Sequence, residues 1–341
     1  MDKSTMITLG VETSCDETSC AILKGSQSIL SNIVASSLAK HKEFGGVVPE
    51  IACRQHLETI DTVFQRAIAQ AKIRVQDIDL ISVTQGPGLI GALLVGMSFA
   101  KTLAFALNKP LIGVNHLEAH LEAVFIENSR PEGPFLGLVV SGGHTQIVLY
   151  EPNKGYQLIC ETRDDACGEA FDKVAKILGL GYPGGPIIDR LSEKGNAQAI
   201  DFPCGQFEDS FDFSFSGTKT AVLYYVRKQK NIDEVHQANI AASFQRAVVS
   251  CLIERVLKVA DEYGIDTIVV GGGVSANRLL RSQLSEEGAK KGINVLLPSL
   301  IYSQDNAAMI ARCGYEKYNQ NLKTNWKMTA SPNLPFALAC N

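Results

Sequence analysis

In Asn115-His116-Leu117-Glu118-Ala119-His120, two of the chain's six histidines lie four residues apart. On a helix, residues i and i+4 share one face, so both imidazoles can approach one metal ion from the same side. A third ligand then comes from elsewhere in the chain. Three protein ligands leave a coordination position for substrate, as in catalytic rather than structural metal sites. The alternative is an exposed helix carrying two unrelated histidines. Ser303-Gln304-Asp305-Asn306 reads as the opening of a last helix, from about Gln304 to Asn319. Asp305 there is either the third ligand of a His2Asp set or an acid favoured in a first turn by the helix dipole. Glu118 follows His116 by two places, about 200° around a helix, and points away from the imidazole face. With no His-Glu-x-x-His, it cannot be the base that zinc proteases use.

Three glycine-rich stretches suit ligand contact. Ser141-Gly142-Gly143-His144-Thr145 joins two apolar runs, either as a turn whose amides and hydroxyls meet an anion or as an ordinary hairpin. Gly271-Gly272-Gly273 follows a strand and precedes a helix, placing open backbone where a nucleotide can lie. Asn277 beyond it can bond a base or ribose; the bland reading is a tight connection. Gly181 to Pro186 is flanked by Asp172 and Asp189, carboxylates that suit ribose hydroxyls or a cation, or else a helix cap and a solvated acid. Gly86-Pro87-Gly88-Leu89-Ile90-Gly91 matches Gly-x-Gly-x-x-Gly, but the next strand ends in Asn115 where a dinucleotide fold wants an acid. No NAD site is expected, and no Walker loop occurs.

These groups need a scaffold, and strands alternate with helices along the chain. Strands are expected at Ile7–Glu12, Ser19–Leu23, Leu80–Thr84, Leu111–Val114, Phe135–Val140, Gln146–Tyr150, Thr267–Val270 and Val295–Leu297. Helices are expected from Pro49 to about Ala71, across the apolar Leu89–Leu107, from Glu169 to Leu178 and over roughly Asp233–Tyr263. The fold class is α/β with largely parallel sheets. The strand–turn–strand opening recurs, Leu9-Gly10-Val11 corresponding to Leu136-Gly137-Leu138, with Asn128–Gly133 between the halves. Two similar lobes are therefore expected, with a ligand cleft between them.

With 341 residues, 45% hydrophobic and 20% charged, the chain can bury two cores. A net charge of −4 is not the footprint of a stand-alone nucleic-acid binder. Small basic clusters at Lys40-His41-Lys42, Arg227-Lys228 with Lys230, and Lys290-Lys291 read as solvated faces. Nine cysteines without a Cys-x-x-Cys pair suit reduced thiols in the cytosol. The opening residues lead into only a short apolar run, so no signal peptide is expected. Leu89–Leu107 contains Lys101 and many small residues and reads as a buried helix of a soluble fold. The tail after Trp326 reads as loosely ordered.

Taken in order, Gly10–Thr18, Gly86-Pro87-Gly88-Leu89, Asn115–His120, Ser141–Thr145, Gly168-Glu169-Ala170-Phe171-Asp172-Lys173, Phe213–Gly217 with Lys219-Thr220, Gly271–Asn277 and Asp305-Asn306 form one pattern. The pattern resembles the tRNA N6-adenosine threonylcarbamoyltransferase family of the bacterial TsaD type, formerly grouped as O-sialoglycoprotein endopeptidases. It runs over about residues 6–320. The resemblance implies the actin/Hsp70/sugar-kinase (ASKHA) fold: two duplicated ribonuclease-H-like lobes, 1–127 completed by a C-terminal helix about 304–325, and 128–303. It implies transfer of threonylcarbamoyl from threonylcarbamoyl-adenylate to N6 of adenosine 37 in tRNAs reading codons that begin with A, with release of AMP. His116, His120 and Asp305 would bind Fe2+ or Zn2+. Val139, Val140, Ser141, Gly142, Gly143, Asp172, Gly185, Asp189 and Asn277 would hold the adenylate, with Mg2+ possible beside a bound nucleotide. Glu12 and Asp16 would position water or a proton acceptor, and no residue stands out as general base. Implied partners are tRNA, an inactive paralogue of the same fold (TsaB-like) as heterodimer, and a small P-loop ATPase (TsaE-like), all in the cytoplasm and without a membrane. A small-molecule kinase or ATPase of the same fold is the alternative.

Overall fold

The computed structural model describes residues 3–205, 207, 210–321 and 326–336. The chain forms two compact units, Met1–Ser129 with Pro298–Ala337, and Arg130–Leu297 with Leu338–Asn341. In the first, β1 (Ile7–Glu12), β2 (Glu17–Lys24), β3 (Ser28–Ser36), β4 (Leu80–Gly86) and β5 (Leu111–Asn115) form a sheet in the order β3-β2-β1-β4-β5. β1 is antiparallel to β2, Gly10 facing Ala21, and parallel to β4, Leu9 facing Ile81. Its helices are α1 (Leu38–His41), α2 (Pro49–Ala71), α3 (Ile90–Leu107), α4 (His116–Glu122), and, after the chain returns, α10 (Leu300–Ser303) and α11 (Ala307–Asn319).

The second unit repeats the plan. β6 (Phe135–Val140), β7 (Thr145–Glu151), β8 (Gly155–Glu161), β9 (Thr267–Gly271) and β10 (Asn294–Leu296) pair in the order β10-β9-β6-β7-β8. β6 is antiparallel to β7 and parallel to β9, so it stands where β1 stands in the first sheet. Its helices are α5 (Cys167–Ile177), α6 (Gly184–Ser192), α7 (Ser216–Lys228), α8 (Glu234–Tyr263) and α9 (Arg278–Lys290). The duplication read from β1 and β6 therefore extends to five strands each. The sequence reading missed β3, β8, α6 and α7. β3 is an edge strand with an irregular burial pattern, which hides the alternation that marks a half-buried strand.

Helices cover both faces of the first sheet. Leu9, Val11, Ile81 and Val83 pack with Val63 and Phe64 of α2 and Ala100 of α3. On the other face Leu80, Ile112 and Val114 meet Met309, Ile310 and Cys313 of α11. Two glycines let α11 lie close. A Cβ on Gly10 would overlap the Ala307 carbonyl oxygen, and one on Gly314 would overlap Ser82 Oγ. In the second unit Leu138, Val140, Ile268 and Val270 pack with Phe171 of α5 and Phe244 of α8, two rings meeting edge-on with centroids 5.1 Å apart.

Two expectations need correction. α3 is long and apolar enough to cross a membrane, with mean hydropathy 1.8, but it is buried on one face only. Ile90, Leu94 and Phe105 stay exposed, because its sheet-side face alone meets the core. The tail is packed as far as Phe336: Met328 is in the core and Ser331 N donates to the Gln85 carbonyl at 2.8 Å. The last helix starts at Ala307, with Asn306 as its cap. Residues 322–325, which the expected helix included, lie outside the described residues.

Candidate functional site

The two histidines reach their site through local rules. β5 ends at Asn115, whose Oδ1 accepts from Leu117 N at 2.8 Å and Glu118 N at 3.3 Å, an N-cap that starts α4 at once. His116 is thus the first residue of α4 and His120 lies one turn on. Their rings meet edge-on with centroids 4.6 Å apart. Glu118 turns the other way and pairs with Lys317 of α11 at 2.6 Å. Asp305 arrives from the far end of the chain, held by the entry to α11. Ala307 N donates to Ser19 Oγ at 2.8 Å, and Asn306 Oδ1 accepts from Ala308 N at 3.0 Å.

His116 Nε2 is 3.5 Å and His120 Nε2 3.1 Å from Asp305 Oδ1. One ligand atom from each of the three residues lies within 4.8 Å of the others. Asp305 is therefore no helix cap; its carboxylate closes a His2Asp set. His120 is 1% exposed; its Nε2 faces the Asp305 carboxylate, and its Nδ1 has no hydrogen-bond partner among the described residues. Two buried imidazoles converging on one carboxylate oxygen leave a space that a cation shared by all three would fill. Two imidazoles and one carboxylate suit Zn2+ or Fe2+, so the residues fit the metal.

Behind this set, Glu12 at the end of β1 is fully buried. Its Oε2 accepts from Thr84 Oγ1 at 2.8 Å and lies 2.9 Å from His116 Nδ1; Ser14 Oγ is 3.2 Å from the same nitrogen. A proton on Nδ1 leaves Nε2 as the ligand atom, the usual carboxylate–histidine–metal relay. Glu12 thus holds the His116 ring, where the sequence suggested a role at water. Burial disfavours a charged His116 ring, but Asp305 and then Glu12 outweigh it and raise its pKa well above the ordinary value. Burial likewise opposes ionisation of Asp305, yet His116 and His120 hold its carboxyl below the usual range. Burial lowers His120, keeping that ring neutral and ready to ligate. The field around these rings favours a cation.

The second unit holds the other predicted residues. Val139 and Val140 lie in β6 with fully buried side chains, so only their main chain can meet a ligand. Ser141 N donates to the His144 carbonyl at 2.8 Å, and Ser141 Oγ accepts from His144 N at 3.1 Å. The turn therefore offers a ligand the main chain of Gly142 and Gly143. Neither glycine is needed for packing, since an added Cβ meets nothing within 4 Å; the same holds for Gly185 and Gly273. Gly168 and Gly272 are different. A Cβ on Gly168 would stand 2.7 Å from the Ser141 carbonyl oxygen, and Gly272, at φ 95°, faces the Val140 carbonyl. One glycine of the Gly271–Gly273 run thus serves internal packing.

The polar members of that set bond one another. Asp172 Oδ1 accepts from Gly184 N at 2.6 Å and fixes the start of α6. Asp189 accepts from Asn277 Nδ2 at 3.3 Å and Arg278 Nε at 2.9 Å. Asn277 Oδ1 caps α9 through Leu280 N at 3.0 Å, and Nδ2 reaches Gln245 Oε1 at 2.9 Å. Asn277 was expected to bond a base or ribose; here its amide joins α6, α8 and α9. Asp189, Ser192, Gln245, Arg278 and Ser282 line one cavity of about 270 Å³. Sequence reading missed Gln245 and Arg278. Arg278, directly after Asn277, was legible as a partner for an acid; Gln245, in mid-helix, carried no signal.

A family model described as tRNA N6-adenosine threonylcarbamoyltransferase matches residues 28–312. Proteins of that name from Clostridium botulinum (strain 657 / Type Ba4) and Clostridium beijerinckii are each 51% identical, over 97% and 98% of this chain and 98% of their own lengths. One from Clostridium perfringens (strain 13 / Type A) is 50% identical over 98% of both chains. Among solved structures, full-length HypF in a phosphate- and nucleotide-bound form shares the fold at TM-score 0.63 and 15% identity. That match covers 94% of this chain but 47% of HypF, so the chain spans about half of that protein. Component A of the Acidaminococcus fermentans (R)-2-hydroxyglutaryl-CoA dehydratase aligns at TM-score 0.53 and 15% identity over 92% of this chain and 99% of its own.

Proposed function

From the premise that this chain belongs to the tRNA N6-adenosine threonylcarbamoyltransferase family, which near-full-length matches at 51% identity establish, we propose how its parts divide the reaction. The enzyme is a transferase that places a threonylcarbamoyl group on N6 of adenosine in tRNA. The donor is threonylcarbamoyl-adenylate and the acceptor adenosine 37: the N6–carbonyl bond forms, the carbonyl–phosphate oxygen bond breaks, N6 loses a proton and AMP leaves. An exocyclic adenine amine is a poor nucleophile, so the chemistry relies on an activated carbonyl and a good leaving group.

His116, His120 and Asp305 hold Fe2+ or Zn2+, with Glu12 setting the tautomer of His116. A metal held there would supply Lewis acidity to the carbonyl. The convergence of both buried imidazoles on the Asp305 carboxylate supports this assignment. In the second unit, Gly142 and Gly143 leave the main chain open to the phosphate of the adenylate, and Gly185 and Gly273 leave space beside it. Asp172, Asp189 and Asn277 would hold the adenylate, their hydrogen bonds to Gly184 N, Arg278 and Gln245 fixing the turns beside it. A Mg2+ accompanying a nucleotide would draw its ligands mainly from phosphate, because Asp189 already meets Asn277 and Arg278.

A net charge of −4 supports shared binding of tRNA with partners rather than by this chain alone. The partners are an inactive paralogue, as heterodimer, and a small P-loop ATPase. The exposed Ile90, Leu94 and Phe105 of α3 support a protein partner there. The setting is cytoplasmic. The test is nucleoside mass spectrometry of tRNA from depleted cells. The threonylcarbamoyl nucleoside should disappear and return with the wild type but not with His116→Ala. Persistence at normal level, without a second copy of the enzyme, would favour a kinase of the same fold.

A further inference from the structure

Trp326–Phe336 lies beyond the residues matched by the family model, 28–312, and crosses the C-terminal ends of β4 and β5. Lys101 of α3 donates to the Trp326 carbonyl at 3.1 Å and to that of Met328. Gln85 donates to the Thr329 carbonyl at 3.1 Å. Gly88 N donates to the Pro332 carbonyl at 3.1 Å. Asn115 Nδ2 donates to the carbonyls of Leu334 at 3.3 Å and Pro335 at 2.7 Å. The segment also gives the Gly-x-Gly-x-x-Gly stretch a packing role. A Cβ on Gly86 would overlap the Ser331 carbonyl oxygen, and one on Gly88 would stand 2.6 Å from the Ser14 carbonyl oxygen. These glycines let one turn sit between the tail and the Ser14 loop.

We propose that Trp326–Phe336 is a positioning strap for the metal centre, acting on His116 through Asn115 and through the Gly86–Leu89 turn. The first route is direct. α4 has seven residues, too few to hold itself as a helix, and His116 is its first residue. Its placement therefore depends on the Asn115 cap. Asn115 uses Oδ1 for the cap and Nδ2 for the strap, so the strap locks the amide in the capping rotamer. The second route runs from Pro332 to Gly88, from Leu89 N to the Ser14 carbonyl at 2.8 Å, and from Ser14 Oγ to His116 Nδ1. Both end on the ligand that Glu12 orients. The alternative is that the strap merely covers the core around Met328.

This inference rests on the metal reading above, and one experiment separates the two. Co2+ is added to purified, metal-free wild type, Asn115→Ser, Gly86→Ala, Lys101→Met and His120→Ala. Affinity is measured by competition with a chromophoric chelator, alongside the visible Co2+ spectrum and the thermal midpoint. Asn115→Ser keeps a capping oxygen but no longer reaches the strap; Gly86→Ala pushes Ser331 and Leu334 outward. Both should weaken Co2+ binding about 10–100-fold, as loss of an orienting partner does, and shift the spectrum. Lys101→Met, which releases only the far end of the strap, should act in the same direction and carries the test if the other two do not fold. Lower thermal midpoints with wild-type affinity and spectrum would make the strap a core cover and overturn the proposal. Wild type binding Co2+ no better than His120→Ala would defeat the metal reading, and this one with it.

Discussion

The β1–β2 turn and the β6–β7 turn occupy equivalent places in two sheets of the same strand order, yet they are built for opposite ends. Thr13 and Ser14 are buried: Thr13 Oγ1 donates to the Ala92 carbonyl at 2.9 Å, and Ser14 touches His116. Gly142 and Gly143 are exposed and touch nothing beyond their neighbours in sequence within reach of a Cβ. The next connection is alike in both units. Gly88 after β4 approaches the Ser14 carbonyl, and Gly272 after β9 approaches the Val140 carbonyl. Duplication thus preserved the glycine that lets the two turns touch. The two turns differ in what they carry: buried side chains against His116 in the first unit, open backbone in the second.

The comparison breaks most visibly at the ligands. His120→Ala or Asp305→Ala should abolish tight Co2+ binding and lower single-turnover threonylcarbamoyl transfer at least about a hundredfold; near-normal transfer would separate the first unit's site from the chemistry. Glu12→Gln keeps the shape but weakens the hold on His116, and metal affinity should fall about 10–100-fold, read by chelator competition. Glycine pairs sharpen the contrast next. Gly168→Ala, forced against the Ser141 carbonyl, should cost about 1–3 kcal/mol in urea unfolding. Gly142→Ala should stay within about 0.5 kcal/mol while weakening adenylate-analogue binding in calorimetry. Equal destabilisation by both would show that the open turn is a packing turn after all.

The smallest effect concerns charge. In the second unit Asp165 meets Lys173 at 2.6 Å and Lys219 at 2.7 Å. Burial opposes its ionisation, but the two lysines prevail and lower its pKa. A carboxyl lowered on folding stabilises above its unfolded value, near pH 4, and loses that contribution as pH falls through the folded value. Asp165→Asn should therefore be less stable at pH 7, by under about 1 kcal/mol for a partly exposed lysine pair, with the deficit shrinking below pH 4. A deficit that stays constant with pH would assign it to packing.

Much of this was legible because local chemistry has local signatures. The i, i+4 histidines needed only helical periodicity. Pro49 marked the first residue of α2, and the β1/β6 likeness announced two units. What could not be read locally was which groups meet. Asp305 was equally good as a cap or a ligand until α11, seated on Gly10 and Gly314, brought it to His116 and His120. Glu12 became an orienting group only because β1 lies beside β4 and β5 ends in the histidine helix. The bonds that tie Asn277 to α6 and α8 likewise had no local signature.

The sequence by itself determined residue types, periodicities and turns: two histidines on one helical face, glycines where backbone must come close or stay open, and enough apolar residues for two cores. Tertiary structure alone decided how each was used. It divided the glycines into those that a neighbouring carbonyl requires and those that face open space, and it turned a tail without hydrophobic periodicity into a strap on Asn115. Backbone carbonyls supply both effects, and every residue but its neighbours has the same ones. A carbonyl's partner is therefore set by which segments the core brings side by side, and no residue type records it.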